Sequence, residues 1–142
     1  MDGSVFFGGD AASPDTYQKF HADLQMFATT FTGTDPESYL AGWRCDAAPT
    51  PESQWQGANI GRWCNPAFDA LGDRLAGTGG LAARAALARD MNDLIIQDVA
   101  MIPLVDRGRV SAHVHSLGGV DMNAWDSELW NVADWYRVRD TE

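Results

Sequence analysis

The sequence predicts a mixed α/β fold, and three observations support that prediction. Two stretches, one after Asn65 and one after Gly80, repeat apolar residues at helical spacing. Short apolar runs, as at residues 101–105 and 110–115, are typical of strands. The chain has 142 residues, 45% of them hydrophobic and six of them Trp, which is enough material for a folded core.

The N-terminal part is predicted to form a strand and then a helix. Residues 4–7 are mostly apolar and are followed by Gly8, as at the end of a strand. Ser13 is a good N-cap, and Pro14 suits the first helical position. The helix would run to about Gly33. Its apolar stripe, which we expect in the core, has steps of three and four: Tyr17, Phe20, Leu24, Phe27 and Phe31.

The centre of the chain, residues 34–65, is predicted to be mostly irregular. Residues 39–43 have the character of a brief buried strand. Pro49 and Pro51 then indicate a loop, which continues to about residue 65. A loop of this length in a compact domain is usually functional or stapled by a cross-link.

Two helices are predicted after this loop. Asn65 and Pro66 repeat the pattern of an N-cap followed by proline. The first helix has an apolar face of Phe68, Leu71 and Leu75, and it breaks at residues 77–80. The second runs from about residue 81 to 98 with the following apolar stripe: Leu87, Met91, Leu94 and Ile95.

The C-terminal part is predicted to contain two further strands, at residues 101–105 and 110–115. Gly118 and Gly119 would turn the chain after them. The tail carries the large side chains that we expect to pack: Trp125, Trp130, Trp135 and Tyr136.

Charge excludes some classes of partner. The formal net charge is −10, whereas nucleic acids and anionic membrane surfaces require clustered Lys and Arg. The densest basic stretches, residues 107–109 and 137–139, are too small to form such a surface. We therefore expect no nucleic-acid partner.

The sequence offers little for catalysis, and we predict no catalytic residue, metal or cofactor. It has no Gly-x-Ser-x-Gly motif, and its Gly-rich stretch at residues 77–80 lies between two helices with no strand before it. His113 and His115 would share one face of a strand, but a third metal ligand at suitable spacing is missing. A polar strand face is the better interpretation of this pair.

One stretch, residues 42–46, could form a ligand site. Asp46 follows Trp43 by three positions, where a strand is predicted to enter the loop. An aromatic ring and a carboxylate together suit an ammonium ligand. The alternative is a buried Trp with an Asp that caps its own loop. Cys45 and Cys64, 19 positions apart, are either one disulfide or two unrelated buried thiols.

The order of several segments resembles the family 5 extracellular solute-binding proteins. These are the dipeptide-, oligopeptide- and opine/nickel-binding components of ABC importers. The segments that carry the resemblance are residues 13–26, 39–46, 59–69, the helix with Arg84 and residues 91–93, then 102–105 and 125–131. Members of that family are much longer two-lobed α/β proteins of the type II periplasmic-binding fold. The resemblance implies that this chain is a C-terminal part of such a protein. Residues 1–105 would belong to its second, ligand-binding lobe, and residues 106–142 would return towards the first.

The resemblance also assigns site residues. Asp46 would hold the α-ammonium group of a short peptide, and Trp43 would line the pocket. Arg44 between them departs from the small or polar residue usual in that family, and it would also contact the ligand. Cys45 and Cys64 occupy the positions of a family disulfide. Function would be capture of a solute between two hinged lobes, without chemical conversion.

The implied partners are a short peptide or related solute, a membrane ABC permease and the N-terminal lobe that this chain lacks. The location would be the periplasm or the outer face of the cytoplasmic membrane. The sequence shows no leader, which we expect in a preceding part of the protein. Because one wall of the cleft is encoded here, we expect the isolated chain to bind peptide weakly or not at all.

Three other interpretations stay open. One is a cytoplasmic ligand-sensing domain of a regulator with the same fold. Another is a hydrolase that uses acids of the 34–65 loop. The third is a structural or interaction fragment with no ligand of its own. Self-association of the fragment, through the apolar surface left by a missing lobe, also stays open.

Overall fold

The computed structural model describes residues 2–10, 13–19, 21–29, 34–106, 108, 110–123 and 126–138. The chain divides into two compact units, Met1–Thr29 with Pro36–Ile102, and Thr30–Asp35 with Pro103–Glu142. The described residues contain helices and a small antiparallel sheet, so the fold is mixed α/β as predicted. The elements are α1 (Gly3–Phe6), α2 (Glu37–Ala41), α3 (Pro66–Ala76), α4 (Leu81–Gln97), β1 (Leu117–Gly118) and β2 (Tyr136–Arg137).

The helices α3 and α4 confirm the two helices predicted after the loop. The Asn65 side chain accepts a hydrogen bond from the Ala67 amide at 3.0 Å, and Pro66 occupies the first helical position. The predicted apolar faces meet in the core of the first unit. The buried core residues are Leu40, Phe68, Leu75, Leu87, Met91 and Ile95. The sequence of each helix was sufficient to predict it, because the breaks at its ends and its apolar stripe lie within or next to the helix itself.

The predicted strand at residues 39–43 is wrong, because this stretch forms the short helix α2 and its C-terminal turn. Leu40 is buried, and Tyr39 and Trp43 contact each other one turn apart, with ring centroids 6.4 Å apart. Spacing of three and four then places these apolar side chains on the face that meets α3 and α4. A run of five apolar residues is too short to separate strand from helix by periodicity.

The N-terminal strand prediction is also wrong, since residues 3–6 form α1. Asp2 caps this helix by accepting a hydrogen bond from the Ser4 amide at 2.8 Å. A strand satisfies its backbone only through a neighbouring strand, whereas a capped helical turn does so locally.

The long helix predicted after Pro14 is wrong as well. Within the described residues 13–19 and 21–29, regular structure is confined to a 3-10 turn at Tyr17–Lys19. Phe20 and Phe31 lie outside the described residues. The Ser13 hydroxyl accepts a hydrogen bond from the Asp15 amide at 3.3 Å, so Ser13 supports a turn rather than a helix. The aromatic spacing reflects a ring cluster, in which Tyr17 and Phe27 lie 5.6 Å apart between centroids. This cluster also includes Phe6 and Phe7.

Residues 101–105 and 110–114 are not strands, contrary to prediction, and Leu104 and Val110 are 67% and 94% exposed. His115, predicted to end the second strand, lies in a turn. The sheet forms instead from β1 and β2, with Leu117 paired to Arg137 and Gly118 to Tyr136. Apolar alternation gives strand propensity, but a strand also needs a partner within reach.

Gly118 is therefore a strand residue and not part of a turn. Its hydrogen side chain allows the Tyr136 ring to approach, since an added Cβ would lie 2.6 Å from Tyr136 Cζ. Gly119 follows with φ of +79°, a conformation that glycine adopts without strain. In the tail, Trp135 Nε1 donates to Asn131 Oδ1 at 2.9 Å. Trp130 and Tyr136, which were expected to pack, are 45% and 61% exposed, and Trp125 lies outside the described residues.

Arg84 of α4 ties three helices of the first unit together. Its Nη1 donates to the carbonyl oxygens of Leu75 and Thr78, both at 2.9 Å, at the C-terminal end of α3. Its Nη2 lies 2.6 Å from Glu37 Oε2 in α2. Among the described residues, no helix combines the length and apolar character needed to cross a bilayer.

Candidate functional site

The predicted ligand-binding stretch leads from α2 into a loop closed by a disulfide. Cys45 and Cys64 are bonded to each other, with their Cα atoms 4.6 Å apart. This is the pairing implied by the resemblance. The bond joins the turn after α2 to the residue just before the N-cap of α3. It therefore fixes both ends of the loop against the helical core.

Asn59 holds the inside of this loop, and it was missed in the sequence. Its side chain is fully buried, and its Nδ2 donates to the carbonyl oxygens of Trp43 (3.4 Å), Arg44 (3.0 Å) and Trp63 (2.6 Å). Its backbone amide donates to the Ala47 carbonyl at 3.1 Å. An Asn flanked by Gly57 and Gly61 looks like an ordinary turn residue, so no local signal identifies this role.

Trp43 lies partly buried against the hydrophobic core. The packing of its ring on Tyr39 and the core accounts for much of its surface. The structure therefore gives Trp43 a clear packing role, and only its partly exposed edge is available to a ligand.

Asp46 lies in a 3-10 turn, Cys45–Ala47, and its side chain is 82% exposed. The nearest charged group given by the structure is Arg44, whose Nε lies 3.7 Å from Asp46 Oδ1. That separation exceeds hydrogen-bond distance. Asp46 thus presents a solvent-facing carboxylate next to the disulfide.

Arg44 forms a longer ion pair with Asp46, and its hydrogen bonds go to α3. Its Nη1 donates to Asp73 Oδ1 at 2.8 Å and to the Asp69 carbonyl at 3.2 Å. The hydrogen bond to Asp73 is the main cause that raises the pKa of Arg44 above its ordinary value. Asp69 adds a second tie, because its Oδ1 accepts a hydrogen bond from the Cys45 amide at 3.2 Å. The structure thus brings Arg44 and Cys45 to α3, a contact that the sequence did not reveal.

The opposite side of the loop binds the 3-10 turn at Tyr17–Lys19. Trp55 lies between two cations, with Lys19 Nζ 5.4 Å and Arg62 Cζ 5.9 Å from its ring centroid. Arg62 Nη2 also donates to the carbonyl oxygens of Gln18 and Lys19, both at 3.1 Å. Trp55 and Arg62 adopt left-handed backbone conformations, with φ of 62° and 52°. Such conformations persist where surrounding contacts fix them.

The end of the loop is fixed to α4. Asp98 Oδ2 accepts hydrogen bonds from Trp63 Nε1 and Asn65 Nδ2, both at 3.0 Å. The whole loop is therefore held by the disulfide, by Asn59 and by contacts to both long helices. Preorganised groups of this kind lose little conformational entropy when a ligand binds.

An acid–base interpretation of the same loop finds less support. A hydrolase that uses a pair of carboxyl groups needs one of them protonated as the general acid. Glu52 is fully exposed, and hydrogen bonds from its own backbone amide and the Thr50 hydroxyl lower its pKa. That environment favours the charged carboxylate, which is unsuited to a general acid. Across the described residues, no group of three or more His, Cys, Asp or Glu is placed to hold a metal ion.

Part of the chain is similar to the peptide transport periplasmic protein SapA of Haemophilus influenzae. The two sequences are 29% identical over 69 residues, which is 49% of this chain and 12% of SapA. The chain thus corresponds to a small part of that relative's length. No protein-family model and no solved structure matches the chain. The similarity supports a distant relationship to solute-binding proteins.

Proposed function

We propose that this chain is part of an extracytoplasmic solute-binding protein that captures a short peptide for uptake by an ABC importer. Two lines support the proposal: the order of family-like segments along the sequence, and the similarity of part of the chain to a periplasmic peptide-transport protein. The chain acts by binding, and no step converts the ligand.

The observation that carries the proposal is the exposed Asp46 carboxylate on a rigid turn. The disulfide fixes the backbone before Asp46, at Cys45, and the Asn59 backbone amide fixes the backbone after it by donating to the Ala47 carbonyl. A carboxylate held in this way forms a charge-assisted hydrogen bond with an ammonium group at low entropic cost. The free amino terminus of a peptide supplies such a group, and the partly exposed Trp43 side chain would supply apolar area to the ligand.

The other wall of the site would come from a second lobe. Residues 1–105 belong, in this proposal, to the ligand-binding lobe and residues 106–142 lead towards the other lobe. Hinge closure around the peptide would bury the Asp46–ammonium pair and strengthen it, because charges interact more strongly away from water. The closed form would then dock on the membrane permease.

The disulfide fits an extracytoplasmic location. Disulfides persist in the periplasm and on the cell surface, whereas cytosolic thiols are kept reduced. We therefore place the protein in the periplasm or at the outer face of the cytoplasmic membrane. A regulator in the cytoplasm would carry Cys45 and Cys64 as free thiols.

The test is native mass spectrometry of the non-reduced full-length protein with a pool of tripeptides. We expect adducts of peptide mass on the wild type. Asp46→Asn should weaken binding about tenfold to a hundredfold, because it removes a charged hydrogen-bond acceptor. Glu52→Gln is the matched control, since Glu52 is an exposed acid of the same loop, and it should bind as the wild type does.

Two outcomes would contradict the proposal. A bare protein, or adducts that Asp46→Asn leaves unchanged, would assign Asp46 to loop capping alone. Cleaved peptides in the mixture, lost in the Asp46→Asn variant, would instead identify a hydrolase.

A further inference from the structure

Arg44 lies between two carboxylates and engages them unequally. Its Nη1 is hydrogen-bonded to Asp73 Oδ1 at 2.8 Å, while its Nε is 3.7 Å from Asp46 Oδ1. Both acids are exposed, at 73% and 82% of their side chains, so burial does not decide which one binds Arg44. Arg44 hydrogen-bonds Asp73 and not Asp46 because its guanidinium group lies on α3.

The surface of α3 is shaped to receive this guanidinium. The Asp69 carbonyl accepts a second hydrogen bond from Nη1 at 3.2 Å. Gly72 leaves the space that Nη1 occupies, since a Cβ at that position would lie 2.8 Å from Nη1. Asp73 adds the charged partner beside that space. The Asp69 carbonyl and the Asp73 carboxylate thus bind the Arg44 guanidinium, and Gly72 leaves room for it.

This arrangement bears on Asp46, because a guanidinium and an ammonium ligand compete for the same carboxylate oxygens. We propose that Asp73 is a positioning residue of the Asp46 site: by hydrogen-bonding Arg44 on α3, it limits Arg44 to a longer ion pair with Asp46 and leaves that carboxylate open to a hydrogen bond from a cationic ligand group. This inference rests on the proposed function. Asp73 itself does not contact the ligand.

The first test compares affinities for a tripeptide pool and for the same pool with acetylated amino termini. Asp73→Asn removes the charge of the closest partner of Arg44, so Arg44 should shift towards the charged Asp46 and weaken binding of the free-amine pool about threefold to tenfold. Binding of the acetylated pool, which lacks the ammonium group, should not change. Asp90→Asn is the matched control, since Asp90 is an exposed helical acid on α4, and it should bind both pools as the wild type does.

Removal of Arg44 separates this role from simple structural damage. The double variant Arg44→Gln/Asp73→Asn should regain free-amine binding, because the competing cation is gone. Gly72→Ala gives a second route, since its methyl group displaces Nη1 in a helix that favours Ala. It should weaken free-amine binding as Asp73→Asn does. Wild-type affinity in Asp73→Asn, or a double variant as weak as Asp73→Asn, overturns the proposal.

A crystal structure of the ligand-free Asp73→Asn variant tests the positioning without any ligand. We expect Arg44 within hydrogen-bond distance of Asp46, about 3 Å. Arg44 still seated on α3 overturns the inference whatever the affinities are. If the wild type binds free and acetylated pools equally, the proposed function fails. The crystal structure then decides separately whether Asp73 keeps Arg44 from hydrogen-bonding Asp46.

Discussion

Asn59 is the residue on which the conformation of the candidate loop depends most. Its amide group donates to three main-chain carbonyls on both sides of the disulfide. Its Oδ1 is buried and has no hydrogen-bond partner among the described residues. Buried polar atoms are usually paired, so this oxygen costs stability that the hydrogen bonds from the Asn59 amide group offset.

Replacement of Asn59 by Ala should therefore be strongly destabilising. It removes the donor of three carbonyls and leaves a cavity, for which we expect a loss of about 3 kcal/mol in the free energy of unfolding. Urea unfolding measures this directly. Asn92→Ala, at an exposed position of α4, is the control and should change stability by less than about 0.5 kcal/mol. Equal stability of the two variants would show that the loop does not depend on Asn59.

The site residues differ in how well the sequence could predict them. Asp46 and Trp43 attract notice because an acid and an aromatic ring lie near one another in a loop. Arg44 and Asp73 are 29 positions apart, and the sequence near either residue gives no sign of their contact. The structure shows Arg44 bound to Asp73, and its contact with a ligand stays a prediction.

At the scale of elements, contacts between residues distant in the chain stabilise a helix that is too short to be stable alone. The helix α2 has five residues, and an isolated helix of this length is unstable in water. Arg84 of α4 compensates by binding Glu37 at the start of α2 and the carbonyls at the end of α3. The segment that leads to Asp46 depends on this anchoring.

Arg84→Gln should lower the free energy of unfolding by about 2 kcal/mol, because it leaves two carbonyls and a carboxylate without their charged donor. The same change at Arg89, an exposed position of the same helix, is a matched control with little expected effect. Thermal unfolding of both variants, followed by circular dichroism, provides the comparison. An Arg84 variant as stable as the Arg89 variant would rule out the anchoring role.

At the scale of the whole molecule, the disulfide at the candidate site also contributes to the stability of the folded protein. It joins two cysteines that are 19 positions apart in the sequence. In the chain-entropy description, such a closure limits the unfolded state. The folded state therefore depends on the redox conditions of its surroundings.

We expect reduction to lower the melting temperature by on the order of 10 °C, from about 3 kcal/mol of lost stabilisation. The measurement is thermal unfolding with and without dithiothreitol, with alkylation and mass determination to count thiols. The Cys45→Ser/Cys64→Ser variant is the control, because its melting temperature should not respond to the reductant. Two free thiols in the non-reduced wild type would contradict the pairing.

The sequence by itself determined the mixed class of the fold and the two long helices. Asn65, Pro66 and the apolar stripes act within one helix, and these local interactions suffice. The tertiary structure alone decided that residues 37–41 are helical, that residues 101–105 and 110–114 stay unpaired, and that Arg44 binds Asp73. Each of these features depends on whether residues distant in the chain come into contact with the segment. Strand propensity and side-chain charge do not reveal which distant partner is within reach.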